Sequence, residues 1–284
     1  MTDADADAKP RRELPTDPAL LEPMGEAFET ALEAGLAELG LLETPAASAT
    51  ARRSYEAHAR LLRDWNAAIN LTAIRDPEMT ARRHVCDSLS AVPHLAGIVK
   101  PGMRLLDIGS GGGYPGLPLA AALPFARVDL LDSVRKKARF LGVAATAVAA
   151  VLAEDQSETA STPTIESIAE RAEDVAEEQE GREAWDIVTS RAVGSLAEVL
   201  ELSLPLTREG GTVVAWKREE EGNGLQVELQ RAGSIIRAAG GGRPRVFSVG
   251  ATALEDHRLV IVPKERTTPI AYPRPVGVRR RRKR

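Results

Sequence analysis

Cysteine is nearly absent from this chain: Cys86 is the only one in 284 residues. No intramolecular disulfide can form, and a reducing compartment is the natural setting. Histidine is scarce as well. The four histidines (58, 84, 94 and 257) and Cys86 fall in no metal-ligand spacing, so no metal is expected. There is no run of about 18 apolar residues, which excludes a helical membrane span. The opening M-T-D-A-D-A-D-A lacks the basic and apolar regions of a signal peptide, so a cytoplasmic protein is expected. Positive charge is not in excess either. A net charge of −4 argues against a uniformly basic nucleic-acid binder. The average conceals an asymmetry, because the last six residues, Arg279 to Arg284, are all basic. Such a block is usually solvated, and it can hold nucleic acid electrostatically.

Glycine, by contrast, is concentrated. Arg104 to Gly116 reads R-L-L-D-I-G-S-G-G-G-Y-P-G. Leu105, Leu106 and Ile108 make a short apolar run that ends abruptly in glycine, as a buried parallel strand does at a ligand loop. A helix through Leu117, Leu119 and Leu123 follows, whose free N–H groups favour an anionic group. Gly111-x-Gly113-x-x-Gly116 fits dinucleotide spacing, a weak signal alone. Asp107-x-Gly109-x-Gly111-x-Gly113 fits the first motif of S-adenosylmethionine-dependent methyltransferases. Asp107 tips the choice, since a carboxylate there suits a cofactor with an ammonium group and suits a pyrophosphate poorly. The next strand, Arg127 to Leu131, ends in Asp132, an acceptor for both hydroxyls of a ribose.

Around this unit the chain is long enough for one large core or for a domain with a smaller unit. Residues 1–23 are polar and proline-rich and are expected as a disordered leader. Helical spacing then marks Phe28 to Leu39, a second helix with Tyr55, His58, Leu62, Trp65 and Ile69 on one face, and a third that begins at Pro77. His58 fits a packed histidine better than a catalytic one. Arg82 and Arg83 on the third helix fit a solvated face and a phosphate-binding surface equally. A basic helix carries Arg135, Lys136, Lys137 and Arg139, and an alanine-rich stretch runs from it into a loop before Ile165. Strands follow at Ile165 to Ile168 and Trp185 to Ser190, with Arg191 just beyond the second. Gly210-Gly211 turns into Thr212 to Trp216, which ends in Lys217. Residues 218–224 read as a loop, and Arg245 to Val249 and Arg258 to Val262 as antiparallel closing strands. The fold expected is α/β: a doubly wound, mostly parallel seven-stranded sheet, Rossmann-like as in class I methyltransferases, with a small helical N-terminal unit. The boundaries expected are 24–95 for the helical unit, 96–265 for the cofactor-binding domain and 266–284 for a disordered basic tail.

Several stretches together resemble one family. Trp65-Asn66…Asn70-Leu71-Thr72…Arg75-Asp76-Pro77 and Arg83-His84…Asp87-Ser88 look like the N-terminal signature of the bacterial small-subunit rRNA guanine-N7 methyltransferases, also called glucose-inhibited division protein B. The loop from Asp107 to Pro118, Leu130-Leu131-Asp132-Ser133…Lys137…Arg139-Phe140-Leu141, and Ser190-Arg191-Ala192…Ser195-Leu196 match as well. The resemblance implies an S-adenosyl-L-methionine-dependent enzyme that methylates N7 of a guanine in 16S rRNA. It implies cofactor contacts at Gly109, Tyr114, Ala172, Glu173 and Arg191. To these the residues themselves add Asp107, Gly111 and Asp132. The family usually has leucine or a similar apolar residue where this chain has Tyr114, and the segment from Leu141 to Glu170 is longer than the family's.

The chemistry of such a reaction needs no general base. Guanine N7 carries an unprotonated lone pair and can attack a sulfonium methyl directly. The protein's task is alignment and tolerance of the charge that moves to the base. No proton-transfer residue is therefore expected. The Arg82–Arg83 helix, the Arg135–Arg139 helix and the terminal basic run are the candidate RNA surfaces. The expected partner is 16S rRNA or the small ribosomal subunit, the expected state a monomer. Three other functions compete: a methyltransferase of this fold acting on a small molecule or protein, a nicotinamide-dependent oxidoreductase using Gly111, Gly113 and Gly116, and an inactive ribosome-binding protein.

Overall fold

A computed structural model of the chain describes residues 13–154, 162–219 and 224–281. Seven strands form one sheet in the order β3-β2-β1-β4-β5-β7-β6. Strands β1 (Arg104–Ile108), β2 (Arg127–Leu131), β3 (Thr164–Ile168), β4 (Trp185–Arg191) and β5 (Thr207–Arg218) are parallel. β6 (Arg245–Ser248) and β7 (His257–Pro263) close the edge antiparallel. This is the doubly wound, mostly parallel architecture expected of the sequence.

Alternation along the strands divides the core in two, because successive side chains leave a strand on opposite faces. Leu105, Val128, Leu130, Ile187, Val214 and Ile261 face one side, where they meet α2 (Ala49–Ile69), α6 (Gly116–Ala122) and α7 (Arg135–Ala153). Leu106, Ile108, Leu131, Val188, Val213 and Val262 face the other, covered by α8 (Ala172–Glu177), α9 (Leu196–Ser203) and α10 (Gly224–Ala238). The central strands are therefore apolar on both faces, which is why they read as continuous apolar runs. The N-terminal helices, α1 (Glu26–Glu38) and α2, share the first of these cores. Trp65 of α2 meets Phe140 of α7 with ring centroids 5.5 Å apart.

The third helix is not one α-helix. Asp76 caps α3 (Pro77–Thr80) by accepting from the Met79 N–H at 2.9 Å, and then Ala81–Cys86 winds as π-helix before α4 (Asp87–Leu89) and α5 (Val92–Leu95). The wider turn has partners for its carbonyls: Arg191 donates to the Arg83 carbonyl at 2.9 Å and the Ser88 hydroxyl to that of His84 at 2.6 Å. Insertions of this kind often mark functional sites. β5 also differs from expectation. It begins at Thr207 rather than after Gly210-Gly211, because Thr207 pairs with Trp185 and the chain bulges before Thr212 pairs with Ile187.

The leader expected over residues 1–23 starts outside the described residues, but from Glu13 onward it lies on α2. Trp65 Nε1 donates to the Pro15 carbonyl at 2.7 Å, and Arg63 donates to the carbonyls of Glu22 and Pro23. The C-terminal stretch from 266 is likewise built in as far as Arg281. Arg182 donates to the carbonyls of Thr268, Pro269 and Tyr272, Arg274 forms a bidentate pair with Glu201, and α11 (Val276–Arg281) follows. Composition suggested solvated segments, whereas Trp65 and Arg63 fix the first, and Arg182 and the buried Glu201 fix the second. The loop expected before the third strand falls partly on residues 155–161, the loop at 218–224 on 220–223, and the end of the basic run on 282–284, all outside the described residues.

Candidate active site

The glycine loop emerges from β1 at the C-terminal edge of the sheet, beside the β1/β4 switch point where open α/β sheets bind ligands. Gly109 has φ +68°, and a Cβ there would lie 2.4 Å from Val193 Cγ2, so glycine is required twice over. Two cavities meet at this residue. The smaller, about 240 Å³, is lined by Gly109, Asp132, Ala172, Glu173 and Val193 among others. The larger, about 800 Å³, is lined by Gly109, Gly111, Tyr114, Arg191 and Val193, and extends to Lys217 and Glu228.

Asp107 lines neither. It is fully buried, and its carboxylate holds the loop together. Oδ2 accepts from the Ser110 hydroxyl at 2.6 Å and the Gly116 N–H at 3.1 Å, and Oδ1 accepts from Thr189 at 2.9 Å. Burial pushes its pKa up to about 6 against these bonds, which pull it down. Asp132 also braces the loop, accepting from the N–H of Gly111 at 3.1 Å and of Val134 at 2.8 Å, but its side chain borders the smaller cavity. Glu173 stands across that cavity in an ion pair with Arg279 of α11.

Tyr114 belongs to the larger cavity. It is stacked between His58 (centroids 4.3 Å apart) and His84 (4.7 Å), with the Arg191 guanidinium 5.4 Å from the ring centroid. Its hydroxyl is buried with no hydrogen-bond partner among the described residues. Tyr114 therefore borders the larger cavity and not the smaller one. Burial lowers the pKa of His58 to about 4 and of His84 to about 3, so both rings are neutral at pH 7. His58 contacts the Gly112 carbonyl at 2.7 Å, and His84 contacts Thr72 at 2.9 Å. His58 is the packed histidine its helical face suggested.

Arg191 ends β4 rather than following it. Its NH1 donates to Asp87 Oδ2 and to the Arg83 carbonyl, both at 2.9 Å, and NH2 lies 3.3 Å from His84 Nδ1. Asp87 Oδ1 meets His257 Nδ1 at 2.8 Å, and the Asp87 carbonyl accepts from Trp216 Nε1. Asp87 thus ties the end of the π-turn to β4 and β7 through its buried carboxylate and to β5 through its carbonyl. Among the described residues no group of histidine, cysteine and acidic side chains could hold a metal ion, and no helix is long and apolar enough to cross a membrane.

A family model described as rRNA small subunit methyltransferase G matches residues 52–235. The chain belongs to that family. A ribosomal RNA small subunit methyltransferase G of Dehalococcoides mccartyi (strain CBDB1) is 38% identical over 225 residues, covering 79% of this chain and 88% of the other. One from Symbiobacterium thermophilum is 36% identical over 256 residues, covering 89% and 96%. One from Roseiflexus sp. (strain RS-1) is 40% identical over 221 residues, covering 78% and 86%.

In this member of the methyltransferase G family the structure gathers most of the residues singled out from sequence. Gly109, Asp132, Ala172 and Glu173 share one cavity, and Gly109, Gly111, Tyr114 and Arg191 the other. Arg82 is not a free phosphate binder. It pairs with Glu78 at 3.1 Å and lies 3.8 Å from Glu38. Arg135, Lys136 and Arg139 are exposed, without an ion-pair partner among the described residues, and Lys137 borders the larger cavity. Sequence reasoning gave no role to His84, Asp87, His257 or Glu228. The Arg83-His84…Asp87-Ser88 cluster was a usable signal for the first two. His257 and Glu228 reach the site only through the closing strand and α10.

Proposed function

We propose that this enzyme methylates N7 of a guanine in 16S rRNA, with S-adenosyl-L-methionine as donor, and that the two cavities meeting at Gly109 hold cofactor and base. The observation that carries this is their shared wall: a glycine with positive φ and a close neighbour, Val193, border both. The residues present suit the cofactor. Asp132 offers a carboxylate for a ribose, Ala172 is small enough for a flat ring to lie against, and Glu173 can accept from an exocyclic amine. Gly111 leaves the loop backbone open, since a Cβ there would meet nothing closer than the Gly109 carbonyl at 3.7 Å.

When bound, the cofactor supplies an electrophilic methyl on a sulfonium. The chain's residues align and enclose. Asp107, through Ser110, Thr189 and the Gly116 N–H, keeps the loop in one shape. Arg191, anchored by Asp87, sets the wall between loop and base. The neutral His84 and Tyr114 rings give that wall a polarisable surface that tolerates charge on the purine. N7 needs no proton removed, so no residue is assigned as a base. The base must be unpaired or extruded to enter. We assign the exposed Arg135, Lys136 and Arg139 to RNA phosphates, place the enzyme in the cytoplasm with its substrate, and take it to act as a monomer.

Calorimetry with S-adenosylmethionine and transfer of its labelled methyl group to small ribosomal subunits test this directly. Asp132→Ala should weaken cofactor binding about 10- to 100-fold, as loss of a charge-assisted hydrogen bond does. The label should enter 16S rRNA. Label found only in ribosomal proteins would contradict the substrate.

A further inference from the structure

Two acidic side chains border the larger cavity, Asp87 and Glu228. They differ in what they have left to offer. Both oxygens of Asp87 are engaged, by Arg191 and by His257, and its side chain is 2% exposed. Glu228 on α10 is 30% exposed. Its Oε2 accepts from Lys217 Nζ at 2.7 Å and from the Leu196 N–H at 3.1 Å, while Oε1 has no partner among the described residues. Lys217, at the end of β5, also donates to the Gly194 carbonyl at 3.2 Å, which leaves its third N–H without a partner among the described residues. The cavity wall therefore presents one free acceptor beside one free donor. Both are held in place by the turn that follows Arg191.

That pairing has a complement on one base. The Watson–Crick edge of guanine runs acceptor O6, donor N1–H, donor N2–H. Adenine reverses the order at the first two positions, with a donor amine and an acceptor ring nitrogen. Enzymes that act on an extruded base read it along this edge. We propose that Glu228 reads the target guanine, accepting from N1–H and N2–H, while Lys217 donates to O6. O6 stands between N1 and N7 on the ring. A guanine held this way keeps N7 clear of the protein contacts and free to face the Gly109 loop across the same cavity. An adenine in the same place would set its amine against Lys217 and its N1 lone pair against a carboxylate oxygen. A site built on hydrogen bonds rejects such a mismatch strongly, because buried polar groups are left unpaired. Glu228 and Lys217 thus supply base specificity, and no proton moves through them.

The inference rests on the proposed function, and its test separates the two. Single-turnover methyl transfer is measured on small ribosomal subunits reconstituted with 16S rRNA carrying either guanine or inosine at the mapped position. Inosine lacks only the N2 amine. The wild type should lose about tenfold on inosine, the worth of one hydrogen bond to a charged acceptor. Glu228→Gln should lower transfer to guanine by about 30-fold or more, leave cofactor affinity within about twofold, and show less than about a twofold inosine penalty. If Glu228 only braced the Leu196 turn, the variant would be slower with the full inosine penalty intact, and that result overturns the assignment. A variant that transfers at the wild-type rate overturns it as well. A wild-type enzyme that transfers nothing to either particle overturns the proposed function itself.

Discussion

Replacing Asp87 by asparagine keeps the shape of the side chain and removes its charge. In the folded protein Asp87 lies between Arg191 and His257, 2.9 Å and 2.8 Å away. Arg191 is largely buried, so little solvent screens it once its counter-charge is gone. Breaking a buried ion pair by deleting one partner costs about 3–5 kcal/mol. The amide oxygen can still accept from Arg191, and the Arg83 carbonyl remains, so we expect about 2 kcal/mol for Asp87→Asn. The expected result in urea unfolding is a lower midpoint with an unchanged slope, since the same surface is exposed. A second variant isolates the cause. Asp87→Asn combined with Arg191→Met removes the orphaned cation and should recover at least half of the loss, a coupling that additive effects would not give. Cofactor affinity should fall in Asp87→Asn as well, because Arg191 borders the loop cavity. A single variant within about 0.5 kcal/mol of the wild type, or a double variant less stable than the sum of its parts, would refute the role given to this carboxylate.

Acid should unfold the protein through its buried histidines. His58 and His84 have folded pKa values lowered to about 4 and about 3, so their stabilisation is complete above pH 6.5 and is lost as pH falls below it. Asp107 runs the other way. Its pKa is raised to about 6, so its contribution is present at low pH and is lost as pH rises from about 4 through about 6. At about 1.36 kcal/mol per unit the two histidines outweigh the aspartate, and stability from pH 7 to pH 5 should fall by about 2 kcal/mol in denaturant titrations. His58→Gln should flatten that dependence. Tyr114→Phe removes a buried hydroxyl without a partner and should raise unfolding stability by about 1 kcal/mol; a loss would mean that the hydroxyl is bonded. Lys264 is fully buried, and its three N–H groups are shared among four acceptors, Glu183, Thr268 and the carbonyls of Leu204 and Thr207. Lys264→Met should cost about 3 kcal/mol by thermal or urea unfolding and loosen the segment that carries Val276 and Arg279 to the smaller cavity.

Much of this architecture is legible in the order of residues. Apolar runs that end in Gly109, Asp132, Arg191 and Lys217 mark the parallel strands, because strands buried on both faces have no polar alternation to blur them. The glycine loop could be placed to the residue, since its spacing and the aspartates at 107 and 132 are local features. What escaped was set by contacts distant in sequence. Asp107 looks like a ligand group from its position at a strand end, yet Thr189, 82 residues on, completes a ring of donors that turns it inward. The helix from Pro77 has ordinary helical spacing, and its π-turn is supported by Arg191, which lies 108 residues beyond Arg83. Composition marked both termini as solvated, but Trp65 and Arg63 fix the first and Arg182 and Glu201 the second. Glu228 sits between Val227 and Leu229 on α10 and gains meaning only where β5 delivers Lys217 beside it.

We propose that the two cavities at Gly109 bring a sulfonium methyl to guanine N7. Cleavage mapping tests it most directly. Small ribosomal subunits treated with the enzyme and S-adenosylmethionine are subjected to the borohydride and aniline chemistry that breaks RNA at N7-methylguanine. One new break in 16S rRNA is expected, absent without cofactor and at least tenfold weaker with Asp132→Ala. Methyl incorporation into the rRNA with no new break would place the methyl on another atom and contradict it.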